Sequence, residues 1–113
     1  MNIGSKGLIE LNLIIPQGTS FDFILEHLDE KGRPVNHTSS RIEMCLIDKS
    51  SNDKKIDLSE YAKGIGMGIK VEIPYQATAK IPIGIYNWNM LVYSGSENCS
   101  SFAYGKTRII NIF

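Results

Sequence analysis

The chain has 113 residues, with twelve basic and twelve acidic side chains and a formal net charge of zero. Its hydrophobic fraction of 42% and its length predict one ordinary globular domain with one core. The neutral balance supplies no long-range field for a phosphate backbone, so we expect no nucleic-acid partner. Apolar runs such as Met90-Leu91-Val92-Tyr93 are far shorter than a bilayer span, so we expect no membrane partner either.

Taken in chain order, the apolar residues alternate with polar ones, which predicts strands that each bury one face. The alternating runs are 9–15, 21–25, 42–46, 65–73, 86–92 and 104–112. Polar turn sequences separate them at 16–19, 29–34, 48–55 and 94–98. One segment, 57–64, predicts a helical turn or two ended by Gly64. About six to eight short strands with regular turns are typical of an all-β, antiparallel sandwich.

A local motif favours the immunoglobulin-like variety of sandwich. Gly84 stands two residues before Tyr86 at the start of a strand, as in a tyrosine corner, whose hydroxyl bonds to upstream backbone. Trp88 occupies the position where antibody domains carry cysteine, so an antibody-type domain is not expected. We expect a flexible N-terminal segment at residues 1–7 and a single β-sandwich domain at 8–113.

The alternation also predicts the core. The residues expected there are Ile9, Leu11, Leu13, Phe21, Phe23, Leu25, Ile42, Met44, Leu46, Ile69, Val71, Ile73, Tyr86, Trp88, Met90 and Ile110. In the last run this assignment places Ile110 inside and Ile109 outside.

The residue types that carry chemistry form no recognisable constellation. His27 and His37 belong to no HxH or HExxH pair, so we predict no metal site. Cys45 and Cys99 are expected to be free thiols, with a disulfide between them as the alternative. Gly105-Lys106-Thr107 resembles the end of a P-loop but lacks its upstream glycine and its following helix. We therefore expect no enzyme activity, no catalytic residues and no cofactor.

The glycines between Gly64 and Gly68 have a structural interpretation. They lie on a strand-like pattern, and they predict a turn and close backbone contact on an outer sheet face.

Several short motifs occur in an order that resembles a family of tailed-bacteriophage virion proteins, over residues 8–112. The family pattern includes the N-terminal domain of baseplate upper proteins and small neck or tail proteins. The matching segments are Gln17-Gly18-Thr19-Ser20-Phe21, Gly32-Arg33-Pro34-Val35, Arg41–Leu46, Ile73–Thr78, Gly84–Trp88 and Gly105–Ile109.

The resemblance implies a non-enzymatic structural component: a neck, tail or baseplate adaptor, or a fibre-attachment protein. It would be made in the host cytoplasm, reside in the virion and contact other virion proteins as a homo-oligomer in a ring or around a symmetry axis. Apolar residues out of phase with the core are the candidate assembly contacts. These are Leu8, Ile14, Ile24, Leu28, Ile47, Ile85, Leu91 and Ile109. Filling of strand ends and corners of the core is the alternative role for them.

Two other functions remain open from the sequence. A capsid decoration protein would have the same composition and the same lack of a catalytic motif. A carbohydrate-binding sandwich would need aromatic residues side by side on a solvent face. The residues available for such a platform are Tyr75, Trp88, Tyr93, Phe102 and Tyr104, with Asn87 and Asn89.

Overall fold

The computed structural model describes residues 2–5, 8–48, 50 and 54–112, and they form a two-sheet sandwich. Ten strands are present in these residues, which confirms the all-β prediction. They are β1 (Asn2–Ser5), β2 (Ile9–Glu10), β3 (Leu13–Pro16), β4 (Phe21–His27), β5 (Arg41–Asp48), β6 (Lys54–Asp57), β7 (Ala62–Ile65), β8 (Gly68–Ile73), β9 (Gly84–Ser94) and β10 (Asn98–Ile110). A 3-10 turn (Ser59–Tyr61) and a short helix, α1 (Tyr75–Thr78), complete the described elements.

The strand order is that of an immunoglobulin-like sandwich. One sheet has the order β1-β4-β8-β7, and the other has the order β2-β10-β9-β5-β6, with β3 also on β10. The strands β4, β8 and β7 thus occupy the B, E and D positions, and β5, β9 and β10 occupy C, F and G.

The N-terminal strands depart from the antiparallel expectation. β1 pairs with β4 in parallel, and β2 and β3 both pair with β10 in parallel. Alternation carries no information on strand direction, so the sequence pattern could not reveal these pairings. The run 9–15 is also divided at Leu11-Asn12, which contributes to a strand number above the predicted range. Within the segment 1–7, expected to be flexible, Asn2–Ser5 lie in a strand, whereas residues 1, 6 and 7 lie outside the described residues.

The segment 57–73 contains a 3-10 turn followed by a hairpin of β7 and β8, which corrects two predictions. The expected helical turns at 57–64 shrink to the 3-10 turn, and the single strand at 65–73 divides into β7 and β8 around Gly66-Met67. Glycine permits this because the hairpin backbone lies directly against its neighbours. A Cβ on Gly64 would lie 1.8 Å from His37 O, and one on Gly68 would lie 2.0 Å from Leu25 O.

The core lies between the sheets and largely matches the predicted set. Of the sixteen predicted residues, Leu11, Phe21 and Ile110 are only half-buried, and the rest are buried. The last strand has the opposite phase to that predicted: Ile109 is 1% exposed and belongs to the core. Buried Thr107 and Ala103 share its face, and neither is recognisable as a core residue from an apolar pattern.

Long-range hydrogen bonds close the ends of the sandwich. The Thr78 hydroxyl donates to Thr19 O (2.7 Å) and accepts from Gly18 N (3.0 Å), while Gln17 Nε2 donates to Ile81 O (2.8 Å). Two of the motifs noted in the sequence, Gln17-Gly18 and Ile73–Thr78, therefore meet in space and fix the turn between β3 and β4.

Two buried aromatic residues on β9 donate side-chain hydrogen bonds to backbone carbonyls. The Tyr86 hydroxyl donates to Pro82 O at 2.6 Å, which is the hydrogen bond that a tyrosine corner requires. Trp88 Nε1 donates to Leu11 O at 2.7 Å, at the point where the first run is divided. Gly105 makes room for this carbonyl, because a Cβ there would lie 2.0 Å from Leu11 O.

Candidate protein-contact face

We call the solvent side of the larger sheet the outer face. Strand register arranges its side chains in four rows that run across the sheet, and Leu8 and Asn12, which lie next to the paired residues of β2 and β3, are assigned to rows by alternation. Row one contains Ile14, Arg108 and Ile85. Row two contains Asn12, Lys106, Asn87, Ile47 and Lys55. Row three contains Glu10, Tyr104, Asn89, Cys45 and Asp57. Row four contains Leu8, Ser101, Leu91 and Glu43.

Large apolar side chains are strongly exposed on the outer face. Leu8 and Ile14 are each 54% exposed, Ile85 is 63% exposed and Tyr104 is 40% exposed. The first three lie at the two ends of the face, in rows one and four, and Tyr104 lies between them. Several exposed apolar groups on one surface are characteristic of a site that contacts another molecule.

The charges of the outer face are divided by row. Arg108, Lys106 and Lys55 make rows one and two basic, whereas rows three and four contain Glu10, Asp57 and Glu43. Hydrogen bonds from Ser59 lower the pKa of Asp57, which is therefore ionised at neutral pH. The charge of the face therefore changes from basic in rows one and two to acidic in row three, while Glu43 in row four is paired with Arg41.

At row four and beyond it, Arg41, Glu43 and Tyr93 form a cluster. Arg41 Nη1 donates to Glu43 Oε1 at 2.7 Å, and its guanidinium carbon lies 3.9 Å from the centre of the Tyr93 ring. This cation–π contact covers one face of the Tyr93 ring.

Two shallow depressions lie side by side on the outer face and share Asn89. One, of about 480 Å³, lies around Asn87, Tyr104 and Lys106, and the other, of about 670 Å³, lies around Cys45 and Glu43. Their linings mix apolar, amide and charged groups, so that each can receive a protruding side chain from a partner.

Both cysteines are free thiols, so the disulfide alternative is excluded. Cys45 Sγ donates to Asn89 Oδ1 at 3.2 Å, and burial raises the pKa of the Cys45 thiol. A protonated thiol is a weak nucleophile, so Cys45 contributes shape and a hydrogen bond to the face.

The structure divides the eight predicted contact residues into three groups. Five are on the outer face: Leu8, Ile14, Ile47, Ile85 and Leu91. Ile24 and Leu28 are half-buried on and beside β4 of the smaller sheet. Ile109 is a core residue and is not available as a surface contact, because the phase of β10 is opposite to the predicted one. Because the phase of β10 was predicted wrongly, Tyr104, Lys106 and Arg108 were not predicted to lie on the outer face. The signal that could have placed them there is their spacing of two residues, which puts them on one face of a strand.

A cleft of about 440 Å³ lies away from the outer face, between β6 and α1. Ile56, Leu58, Ile81 and Tyr86 are among its apolar lining residues, and charged residues, including Lys80, also line it. The sequence pattern did not reveal this cleft, because it forms where the two sheets part.

The two histidines, which the sequence leaves unconnected, are adjacent in space. His27 Nδ1 and His37 Nε2 share a hydrogen bond of 2.7 Å, and the His37 Nδ1 lies 3.1 Å from Ser40 Oγ. Phe102 packs edge-on against both rings. Burial and the neighbouring His27 lower the pKa of His37, which favours its neutral form. This pair attaches the β4–β5 connection to the end of the sandwich.

The aromatic residues available for a sugar-binding platform are dispersed. Trp88 and Phe102 are buried, Tyr75 is on α1, and Tyr93 is covered by Arg41. Tyr104 lies in row three, separated along the strands from Tyr93. The side-by-side arrangement that a carbohydrate platform needs is not formed by these residues.

Within the described ranges, no three His, Cys, Asp or Glu side chains come together as a metal site. None of the helices in the same ranges has the length and apolar character needed to cross a membrane.

Comparisons with known proteins place the chain in no family. No family model matches it, and no curated protein matches it. Among solved structures, a family 123 glycoside hydrolase from Clostridium perfringens aligns with a TM-score of 0.48 at 14% identity. The alignment covers 92% of this chain but only 23% of the hydrolase, and a likeness at this level carries no argument about activity.

Proposed function

We propose that this chain is a non-enzymatic assembly module, a structural component of a tailed-phage virion that works through protein–protein contacts in a symmetric assembly. One observation carries the contact role: the outer face exposes more than half of Leu8, Ile14 and Ile85. Leaving such side chains in water forfeits about 25 cal/mol for each Å² of apolar surface, and a partner that covers them recovers it.

The polar groups of the outer face suit the same role. Asn87 and Asn89 offer amide donors and acceptors, and the charged rows supply orientation as well as attraction. Interfaces between proteins combine an apolar centre with polar and charged groups of this kind. The virion setting comes from the resemblance in motif order and from nothing else in the molecule.

Particle association is the experiment that tests this function. Phage particles from the source culture are banded in a density gradient, washed in high salt and analysed by quantitative mass spectrometry. We expect the chain to band with the particles at a fixed copy number relative to the major capsid protein. Recovery of the chain only in the soluble fraction would refute the virion role. A glycan-array signal in that case would replace it with carbohydrate binding.

A further inference from the structure

We propose that the outer face binds the outer face of a second copy of this chain, in a two-fold symmetric dimer. The inference rests on the proposed assembly function and names the partner. The axis lies in the plane of the interface and is perpendicular to the strands, between rows two and three. Such a rotation reverses the order of the rows and leaves each strand over its own equivalent. Row one therefore faces row four, and row two faces row three.

This arrangement pairs apolar residues with apolar residues. On β9, Ile85 of row one faces the second copy's Leu91 in row four, because the two positions are equidistant from the axis. At the edge of the sheet, Ile14 faces the second copy's Leu8, which stands one residue before β2 and is placed in row four by alternation with Glu10. Symmetry makes each contact twice, so the most exposed apolar side chains of the face are covered by one another.

The same rotation pairs the charged rows with opposite charges. On β6, Lys55 of row two faces the second copy's Asp57 in row three. On β10, Lys106 faces the second copy's Tyr104, with Glu10 beside it. Basic row two therefore lies on acidic row three, which gives attraction at the middle of the interface.

The alternative axis, parallel to the strands, is disfavoured by the same charges. It would leave each row facing its own equivalent, so that the row containing Lys106 and Lys55 would lie against the same basic row. The acidic residues of row three, Glu10 and Asp57, would likewise face an acidic row. Like charges brought face to face oppose association, so the division of charge selects one of the two ways to stack the face on itself.

The size of the face is sufficient for a specific dimer. The four rows contain seventeen side chains, and with strands about 4.8 Å apart and rows about 6.8 Å apart they cover roughly 550 Å². Two copies would then bury roughly 1,100 Å², which exceeds the roughly 1,000 Å² that a specific interface needs.

Sedimentation velocity over a concentration series tests the proposal, with three variants. Ile85→Asp places a carboxylate opposite Leu91 at two symmetric positions, so we expect the dimer Kd to rise by about 100-fold or more. Ile83→Asp is the matched control, because Ile83 is 51% exposed but precedes β9 and lies outside the four rows. Ile85→Asp combined with Leu91→Lys creates an ion pair across the same contact and should restore the dimer. Circular dichroism verifies that each variant is folded.

The outcomes separate this inference from the proposed function. A wild-type chain that remains monomeric at millimolar concentration overturns the dimer, as does a dimer that Ile85→Asp leaves intact. Equal disruption by Ile83→Asp, or failure of the double variant to recover, overturns the row pairing. A monomer that still bands with particles leaves the virion role standing, whereas a dimer absent from particles contradicts only that role.

Discussion

Replacement of Trp88 tests the packing of the sandwich interior at a buried side chain that also donates a hydrogen bond. The indole is 2% exposed, packs edge-on against Phe23 with ring centres 6.3 Å apart, and donates to Leu11 O at 2.7 Å. Trp88→Ala should cost about 3–5 kcal/mol through the cavity that it leaves. The Leu11 carbonyl would also lose its donor, at a further cost of about 1 kcal/mol. Since a domain of this kind has about 5–15 kcal/mol of stability, the variant should be close to unfolding.

The measurement is urea unfolding followed by far-ultraviolet circular dichroism, because Trp88 is the chain's only tryptophan and its fluorescence is lost with it. Trp88→Phe keeps a ring against Phe23 but removes the N–H donor, so its loss of stability should be intermediate. Tyr75→Ala, at an aromatic residue that is 56% exposed, is the control and should change stability by about 0.5 kcal/mol or less. A loss below about 1 kcal/mol for Trp88→Ala would refute the role assigned to the indole.

Three further predictions concern polar groups in the interior. Because burial and His27 lower the pKa of His37, its contribution to stability is complete above the ordinary value of about 6.5 and is lost as pH falls through the lowered pKa. Between pH 8 and pH 5, the melting temperature of His37→Gln should therefore fall less steeply than that of the wild-type chain. The same pH dependence in both proteins would contradict this. Thr107 Oγ1 is buried without a hydrogen-bond partner in the described part of the chain. Thr107→Val should therefore raise the free energy of unfolding by about 1 kcal/mol. A lower free energy of unfolding in a urea titration would show instead that the hydroxyl has a partner. Tyr86→Phe removes the donor to Pro82 O and should lower stability by about 1–3 kcal/mol, and an unchanged urea midpoint would show that the tyrosine corner contributes nothing.

The sequence predicts the fold where apolar residues alternate without interruption. Ile69, Val71 and Ile73 are buried as expected, because the period of a strand is enforced by its geometry. The prediction is wrong where a polar residue occupies a core position. Thr107 is polar but buried, so the apolar pattern of β10 does not show which of its faces is inside. Ile109 is therefore in the core, where Ile110 was expected.

The outer face could be predicted only in part for a related reason. Ile14 and Ile85 are recognisable as out-of-phase apolar residues, yet their shared row depends on strand register. The alternation within each strand does not determine which residues of a distant strand pair with it. The contact between His27 and His37 is hidden in the same way, because it depends on the path of the connection between β4 and β5.

The parallel pairing of β3 with β10 has a mechanical consequence. Its register matches Leu13 with Thr107 and Pro16 with Ile110. Tension applied between the N-terminal end of β3 and the C-terminal end of β10 pulls two parallel strands in opposite directions along their length. The hydrogen bonds between them are then loaded together in shear, whereas a hairpin pulled from its open end would release its bonds one after another. A domain connected in this way resists extension along its chain.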